Sequence, residues 1–299
     1  MHEYIKCNLC GSNDYRVIYK DNLAHSDNLD STLYFCTNPH YGRHGQIVKC
    51  RHCGLVYLNP RDKDDQIHKR YKEVQDTLYL EEKHARILTF TNSLREIEKL
   101  KPVGRILEGG CYTGFFLEVA KKKGWETYGV EPSRWASSYA RESLGLNVKT
   151  GNLEKADFSE KSFDVIALWD TLEHLTDPSS FLRETHRILK DDGLVCLSTI
   201  NIDSLFAIVL GKYWPQLMQM HTYYYSYSTL NKLLIKAGFT VIRKHTHKRI
   251  LRFRYIITRI FTRRLSNLLE SICDSLKIGN LPVSINCGDL ITVYAIKNK

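Results

Sequence analysis

Val103-Gly-Arg-Ile-Leu-Glu108-Gly109-Gly110-Cys111-Tyr112-Thr113-Gly114-Phe-Phe-Leu117 decides the fold. An aliphatic run ends in an acid, a glycine-rich turn follows, and an apolar-periodic segment opens behind it. That order predicts a strand, a tight turn and a helix. Gly110 and Gly114 let a ligand approach the backbone closely. A second acid, Glu131, closes the next β-branched run, Glu126-Thr-Tyr-Gly-Val-Glu131, 23 positions after Glu108. An acid at the end of that strand suits hydrogen bonding to a ribose diol. The turn is not G-x-G-x-x-G, so it fits a nicotinamide dinucleotide poorly.

Short strand-like runs alternate with amphipathic stretches on either side of this segment, which implies β-α-β units. The expected strands are 105–108, 126–131, 147–150, 163–169, 193–200, 239–245 and 290–296. The expected helices lie near 114–123, 133–144, 178–190 and 228–237. The fold class is therefore α/β: a doubly wound, seven-stranded Rossmann-like sheet. Residues 201–227, rich in aromatics, and 246–289, rich in bases, break the alternation and are read as insertions. Residues 61–101 are charged and helical, and Pro102 ends them. The expected organisation is a small unit at 1–60, a helical lid or linker at 61–101 and the α/β unit at 102–299.

The chain has 299 residues, 43% hydrophobic and 25% charged, which excludes a disordered or collagen-like protein. No apolar run is long enough for a polytopic membrane protein. Met-His-Glu-Tyr-Ile-Lys lacks the apolar core of a secretory signal, so a cytoplasmic location is expected. The net charge of +10 favours an anionic partner: nucleic acid, anionic lipid or a phosphorylated small molecule. Nine cysteines, an odd number, argue against a disulfide framework. Four form two pairs, Cys7-Asn-Leu-Cys10 and Cys50-Arg-His-Cys53, each followed by glycine. Two Cys-x-x-Cys turns supply the four soft ligands of a closed, structural zinc site. A redox pair is the weaker alternative, and Cys36, His40, His44 and His52 are spare ligands nearby.

E-G-G-C-Y-T-G at 108–114 resembles the E-x-G-C-G-x-G motif of class I S-adenosylmethionine-dependent methyltransferases. G-V-E-P-S at 129–133, F-D-V-I-A-L-W-D-T-L-E-H-L at 163–175, F-L-R-E-T-H-R-I-L-K-D-D-G at 181–193 and A-G-F at 237–239 match further family segments in order. C-R-H-C-G-L-V-Y-L-N-P-R at 50–61 resembles the zinc ribbon ahead of some of these enzymes, often ones that modify sugars, polysaccharides or natural products. The resemblance implies S-adenosylmethionine as cofactor. Glu108, Gly110 and Gly114 would hold its methionine part, Glu131 its ribose, and Asn152 with Leu153 its adenine. Tyr112 and Trp169 would wall the site. Asn152 stands where the family often has Asp. Tyr112 stands where it mostly has Gly; a left-handed backbone is costly for Tyr, so ordinary dihedrals are expected there.

Asp170, Glu173 and His174 are spaced i, i+3, i+4 and share one face if helical. With His221 they are similar to the divalent-metal site of ubiquinone-biosynthesis and small-RNA 2′-O-methyltransferases, which implies a second metal. A lone general base, His174 or His221, is the second reading. The third is structural: Asp170 caps a helix and His174 packs under the sheet. Phe206, Tyr213, Trp214, Tyr223, Tyr224, Tyr225 and Tyr227 suit acceptor contact, a dimer interface or a local core. Tyr71 and Tyr79 are candidate inward residues of the lid. Arg243, Lys244, Lys248, Arg249, Arg252, Arg254, Arg259, Arg263 and Arg264 interleave with aliphatics and Phe261, which suits peripheral contact with an anionic membrane at its inner face, or simply a solvated helix.

The expected activity is O-methylation of a hydroxyl on a glycan, nucleotide sugar or lipid-linked acceptor. RNA methylation and a non-catalytic binding role are the alternatives. Nucleic acid fits less well because the bases lie among aliphatics rather than on a stacking platform. Nothing in the sequence fixes an oligomeric state.

Overall fold

A computed structural model describes residues 2–23, 31–37, 41–260 and 263–298, and does not describe the side chains of 31, 259, 260, 263–265, 267, 268 and 274. His40 and Phe261 therefore lie outside the described residues, as do the side chains of Arg259, Arg263 and Arg264.

All seven expected strands form one sheet. They are β1 (Arg105–Gly109), β2 (Glu126–Glu131), β3 (Asn147–Thr150), β4 (Phe163–Trp169), β5 (Leu189–Ile200), β6 (Phe239–Thr246) and β7 (Leu290–Lys297). Their spatial order is β6-β7-β5-β4-β1-β2-β3. Strands β1 to β5 run parallel, and β7 is antiparallel to β5 and β6. The uninterrupted apolar run of β4 follows from burial on both faces. Ile166 and Leu168 enter one core, Val165 and Ala167 the other, and all four are sealed from solvent. Strand β5 starts earlier than expected, at Leu189, with its register broken between Leu189 and Leu194.

Among the described residues, three α-helices precede the sheet: α1 (Asp64–Glu73), α2 (Leu78–Glu81) and α3 (Lys83–Glu98). Within it come α4 (Phe115–Lys122), α5 (Arg134–Glu142), α6 (Pro178–Ile188), α7 (Leu205–Leu210) and α8 (Tyr227–Lys236). Their starts follow capping chemistry. Ser133, Asp177, Ser204 and Ser226 each accept a backbone N–H of the first turn, and Pro178 takes the first position of α6. The basic segment holds α9 (Phe253–Ile260) and α10 (Arg263–Ser275).

The aromatic segment is built into the fold. Tyr223–Tyr224 is the edge strand of a four-stranded antiparallel sheet whose other strands are Val56–Leu58, Ile47–Cys50 and Tyr15–Tyr19. Tyr223, Tyr224, Tyr225 and Trp214 are fully buried, and Trp214 donates to Asp289 at 3.0 Å. These aromatics form a local core, while Phe206 alone of the seven lines the large cavity described below. The N-terminal sheet is also tied to α6 and α8. Asn8 donates to Asp177 at 2.9 Å, and Lys236 donates to the Leu9 carbonyl at 2.7 Å.

The basic segment folds back on α3. Strand Arg249–Arg252 pairs with Pro282–Ile285, and Ile250 N–H donates to Thr89 Oγ1 at 2.8 Å. Arg252 binds Glu82 at 2.6 Å and Glu81 at 3.0 Å, and Arg243 binds Glu96 at 2.9 Å. Part of the cationic run is thus neutralised within the fold.

The turn after β1 depends on glycine at Gly114, the N-cap of α4, whose φ is 78°. A Cβ there would lie 2.6 Å from Leu146 Cδ1 and 3.2 Å from Ala140 Cβ. Left-handed strain and overpacking together predict that Gly114→Ala costs about 2–4 kcal/mol. Urea unfolding measures it, and an unchanged midpoint would contradict this packing.

Candidate functional site

A cavity of about 950 Å³ opens at the carboxyl edge of the sheet. Open α/β sheets bind ligands at that edge, and the volume is in the range of small-molecule sites. Its lining includes Glu108, Gly110, Tyr112, Glu131, Asn152, Leu153, Trp169, Asp170, Glu173, His174 and His221. Of the candidate cofactor and catalytic residues, Gly114 alone is not in the lining. Its role in the fold is the close packing against Leu146 and Ala140.

The two acids differ in how they are held. Glu131 is fixed by backbone donors. Tyr112 N–H donates to its Oε2 at 2.8 Å and Ser133 N–H to its Oε1 at 2.7 Å. Burial pushes this carboxyl up to about 7 despite those two bonds. Each oxygen keeps a further lone pair for a ligand hydroxyl. Glu108, 3% exposed, has an Oε2 with no hydrogen-bond partner. Burial raises its carboxyl well above the usual range, and Glu131 adds to the rise. An unanswered buried carboxylate oxygen is costly and suits an incoming cation or donor. The Trp169 indole N–H is likewise buried without a partner.

Tyr112 corrects the sequence reading: its φ is 46°, left-handed. Two constraints impose this. Its N–H must point at Glu131, and the preceding N–H groups of Gly110 and Cys111 donate to the Val130 carbonyl at 2.8 and 3.1 Å. Aromatic contacts offset the strain: the Tyr112 ring meets Tyr79 edge-on at 4.5 Å and Trp135 at 6.0 Å. Gly110, φ 72°, has no room for a side chain because a Cβ would lie 2.9 Å from Thr171.

The expected helix from Asp170 does not form. Asp170 has φ 47°, its N–H donates to Ser198 O and Oγ, and its carboxylate accepts from Ser198 Oγ at 2.6 Å. Residues Leu172–His174 make one 3-10 turn, and the helix starts at Pro178, where Asp177 is the cap. Asp170 is thus no helix cap. Burial opposes its charge, but Arg249 and then His247 hold its carboxyl below the usual range.

Glu173, His174 and His221 come together, with one candidate ligand atom of each within 4.8 Å of the others; Asp170 stands outside this group. The His174 and His221 rings are 4.8 Å apart. His174 Nδ1 lies 3.0 Å from the Met220 carbonyl and 3.1 Å from Tyr71 Oη, and His221 Nδ1 lies 2.7 Å from the Gln216 carbonyl. Carbonyl partners assign the proton to each Nδ1 and leave the lone pair on Nε2. Burial holds His174 low, and burial together with His174 takes His221 down to about 3, so both rings are neutral. Thr199 Oγ1 donates to Glu173 at 2.7 Å. Burial and then Asp170 push the Glu173 carboxyl up to about 8.

Other residues of the cavity wall come from distant segments. Tyr71, Tyr79 and Arg86 arrive from the helices before the sheet, His247 and Arg249 from the basic segment, and Cys36 from the N-terminal region. The Arg86 guanidinium stacks on Tyr79 at 3.8 Å. In the sequence Arg249 is indistinguishable from Arg252; only the ladder with Pro282–Ile285 turns one to the cavity and the other to α3.

Cys7, Cys10, Cys50 and Cys53 form a separate cluster, with Sγ···Sγ distances of 3.4 Å for Cys7–Cys53 and 3.6 Å for Cys10–Cys50. None is in a disulfide. Burial raises the Cys7 thiol and also the Cys53 thiol, the latter to about 11. Four thiols gathered in this way are poorly placed without a cation and well placed to share one. Two of the spares have other places: His44 is buried with Nδ1 at 2.7 Å from the Gly45 carbonyl, and Cys36 lines the large cavity.

Comparison with known proteins agrees with this architecture. A methyltransferase-domain family model, Methyltransf_23, matches residues 79–244, more than half the chain. The chain belongs to that family. It is 34% identical over 128 residues to the ubiquinone biosynthesis O-methyltransferase of Alkalilimnicola ehrlichii, a match covering 40% of this chain and 52% of that protein. The corresponding Pseudomonas syringae protein is 33% identical over 129 residues, covering 40% and 55%. The chain thus spans about half the length of the curated relatives it matches. Among solved structures, a SAM-dependent methyltransferase from Thermotoga maritima, described as a possible histamine N-methyltransferase, aligns with a TM-score of 0.50 at 21% identity, covering 72% of this chain and 91% of that one. A Haloferax volcanii complex of the Trm112 activator with a putative methyltransferase aligns at 0.52 and 15% identity, covering 73% and 93%. These structures share the fold.

Two outcomes are expected. The purified chain should contain one zinc by atomic absorption, and Cys50→Ser should lose it and lower the melting temperature. The second concerns Glu108. Because its folded-state carboxyl is raised, the folded chain keeps a proton that the unfolded chain gives up, so this contribution to stability is full at low pH and is lost as pH rises. Glu108→Gln should therefore flatten the fall in melting temperature of the ligand-free protein between pH 5 and 8.

Proposed function

We propose that the protein is an S-adenosylmethionine-dependent methyltransferase whose acceptor is a hydroxyl of a glycan, a nucleotide sugar or a lipid-linked molecule. The observation that carries the cofactor reading is the unpartnered Glu108 carboxylate oxygen in a cavity that also holds the backbone-fixed Glu131. In this reading Glu108 meets the ammonium of the methionine part, Glu131 takes both ribose hydroxyls, and Asn152 with Leu153 borders the adenine. Gly110 lets the turn pack against Thr171, and Tyr112 and Trp169 wall the cofactor. When bound, S-adenosylmethionine supplies a methyl group activated by its sulfonium.

The chain's own work is then alignment and proton removal. His174 is the proposed base. The Met220 carbonyl and Tyr71 orient its ring, leaving Nε2 to take the acceptor proton, and His221 meets it edge-on. As a second reading, Glu173, His174 and His221 suit a divalent ion, which would polarise the acceptor oxygen; His174 Nε2 would then be a ligand and not the base. The cysteine cluster is read as structural zinc, since four protein thiolates leave no open position. Tyr223, Tyr224 and Tyr225 are packed away from the cavity, whereas Phe206 and His221 of the same segment line it, and the choice among the three acceptors rests on the family resemblance of the ribbon.

Calorimetry tests the first half. S-adenosylmethionine should bind with one site per chain, and Glu131→Ala should weaken binding by a factor of about 10 to 150, the loss of one charged hydrogen-bonding group. Affinity should also fall as pH drops below about 7, where Glu131 takes up its proton. Lack of binding to the wild-type chain would leave only a scaffold role. For the second half, His174→Ala should retain cofactor affinity while turnover drops about 10²–10⁴-fold. Unchanged turnover would assign His174 to structure alone. Inhibition by a chelator at constant zinc content would favour the divalent ion over the base without metal.

A further inference from the structure

Arg249 stands in the wall of the cavity with its charge unanswered. In strand Arg249–Arg252 successive side chains point to opposite faces. Arg249 and Leu251 line the cavity, whereas Arg252 turns to Glu82 and the Ile250 backbone N–H donates to Thr89 of α3 at 2.8 Å. The ladder with Pro282–Ile285 fixes this choice of face, because a slip of one residue would turn Ile250 inward instead. Arg243 is paired with Glu96, and Arg252 with Glu81 and Glu82. Among the described residues Arg249 takes part in no ion pair and donates no side-chain hydrogen bond.

The acids of the same cavity have other partners. Asp170 accepts from Ser198 Oγ at 2.6 Å, Glu173 from Thr199 Oγ1 at 2.7 Å and Asp289 from the Trp214 indole at 3.0 Å. After burial, Arg249 is the leading charge on Asp170, and it is also felt at Glu173 and His221. Glu173 and His221 surround His174, so the guanidinium and the proposed base share one part of the cavity. The proposed cofactor brings an anion of its own, the carboxylate of its methionine part. Arg86 is the arginine on that side: it stacks on Tyr79, whose ring meets Tyr112 in the cofactor wall. The Arg86 Nε is buried with no hydrogen-bond partner. Arg249 is left for a different anion.

We infer that Arg249 selects an acceptor bearing a phosphate and holds it so that its hydroxyl reaches His174. A guanidinium fork matches two oxygens of a phosphate at once, and the match sets orientation as well as charge. Of the three acceptors proposed above, a nucleotide sugar or a phosphate-linked lipid carrier meets this condition, and an uncharged glycan does not. The inference deepens the proposed function and rests on it for the identity of the base; binding of the phosphate itself requires neither cofactor nor turnover.

Calorimetry of the full chain with inorganic pyrophosphate, without added divalent ions, tests it. One site per chain is expected. Arg249→Ala should weaken binding about 10- to 150-fold, the loss of a charged hydrogen-bonding group. Arg249→Lys keeps the charge and loses the fork, so its affinity should fall between the two; this variant decides the matter should the alanine chain fail to fold. Arg183→Ala, which removes an exposed arginine of α6, should leave binding unchanged. Affinity for S-adenosylmethionine should match the wild type in all three variants, which separates a failed phosphate site from a failed cofactor reading. Uridine diphosphate glucose and geranyl pyrophosphate present the same diphosphate on a nucleoside and on a lipid, and the one that gains affinity over pyrophosphate identifies the source. Absence of pyrophosphate binding, or binding that the Arg249 variants leave intact, overturns the inference. So does a loss confined to S-adenosylmethionine affinity, which would assign Arg249 to the carboxylate of the cofactor.

Discussion

The Glu131 carboxylate holds the site in register. Its two oxygens accept N–H groups from both sides, Tyr112 in the turn after β1 and Ser133 at the start of α5. Two strand ends and a helix start are thereby locked to one buried charge. The arrangement needs a left-handed residue at 112, and the chain meets that need with a tyrosine where glycine would cost nothing. The ring then contributes contacts with Tyr79 and Trp135 that a glycine lacks, and these offset the backbone strain. The glycine-rich turn is thus at once a backbone device and a wall.

Opposed to that fixed carboxylate is one with nothing to bind. Burial and then Glu131 raise the Glu108 carboxyl, so the ligand-free site favours the protonated acid and a cationic ligand favours the carboxylate. A few groups further along the same edge, two neutral imidazoles lean on backbone carbonyls and present their free nitrogens. The sheet edge therefore offers cation-seeking acids at one end and proton-accepting nitrogens at the other.

The fold was legible because its signals are local. The aliphatic runs of β1 and β4, the glycine turn and the helix starts at Ser133 and Pro178 each act within a few residues, and the seven strands appear where these place them. The two Cys-x-x-Cys turns are legible for the same reason. The misreadings fall where a distant partner overrides a local preference. Asp170-x-x-Glu173-His174 has helical spacing, yet Ser198 on the neighbouring strand captures Asp170 and turns its backbone left-handed. Tyr112 has an ordinary preference that Glu131 cancels. Of the three readings open for the tyrosines at 223–225, the local core holds, because Tyr223 and Tyr224 pair with Tyr57 and Val56 and all three rings are buried.

From its residues alone the chain determines the sheet, the paired acids at its edge and the four-thiol cluster, because periodicity, turns and ligand spacing act over short distances. Tertiary structure alone decides which arginine of the basic run faces the cavity, that His174 meets His221, and that α7 turns its apolar side to solvent. Those outcomes depend on segments separated by tens to hundreds of residues packing together, and no local pattern encodes which side of each will be covered.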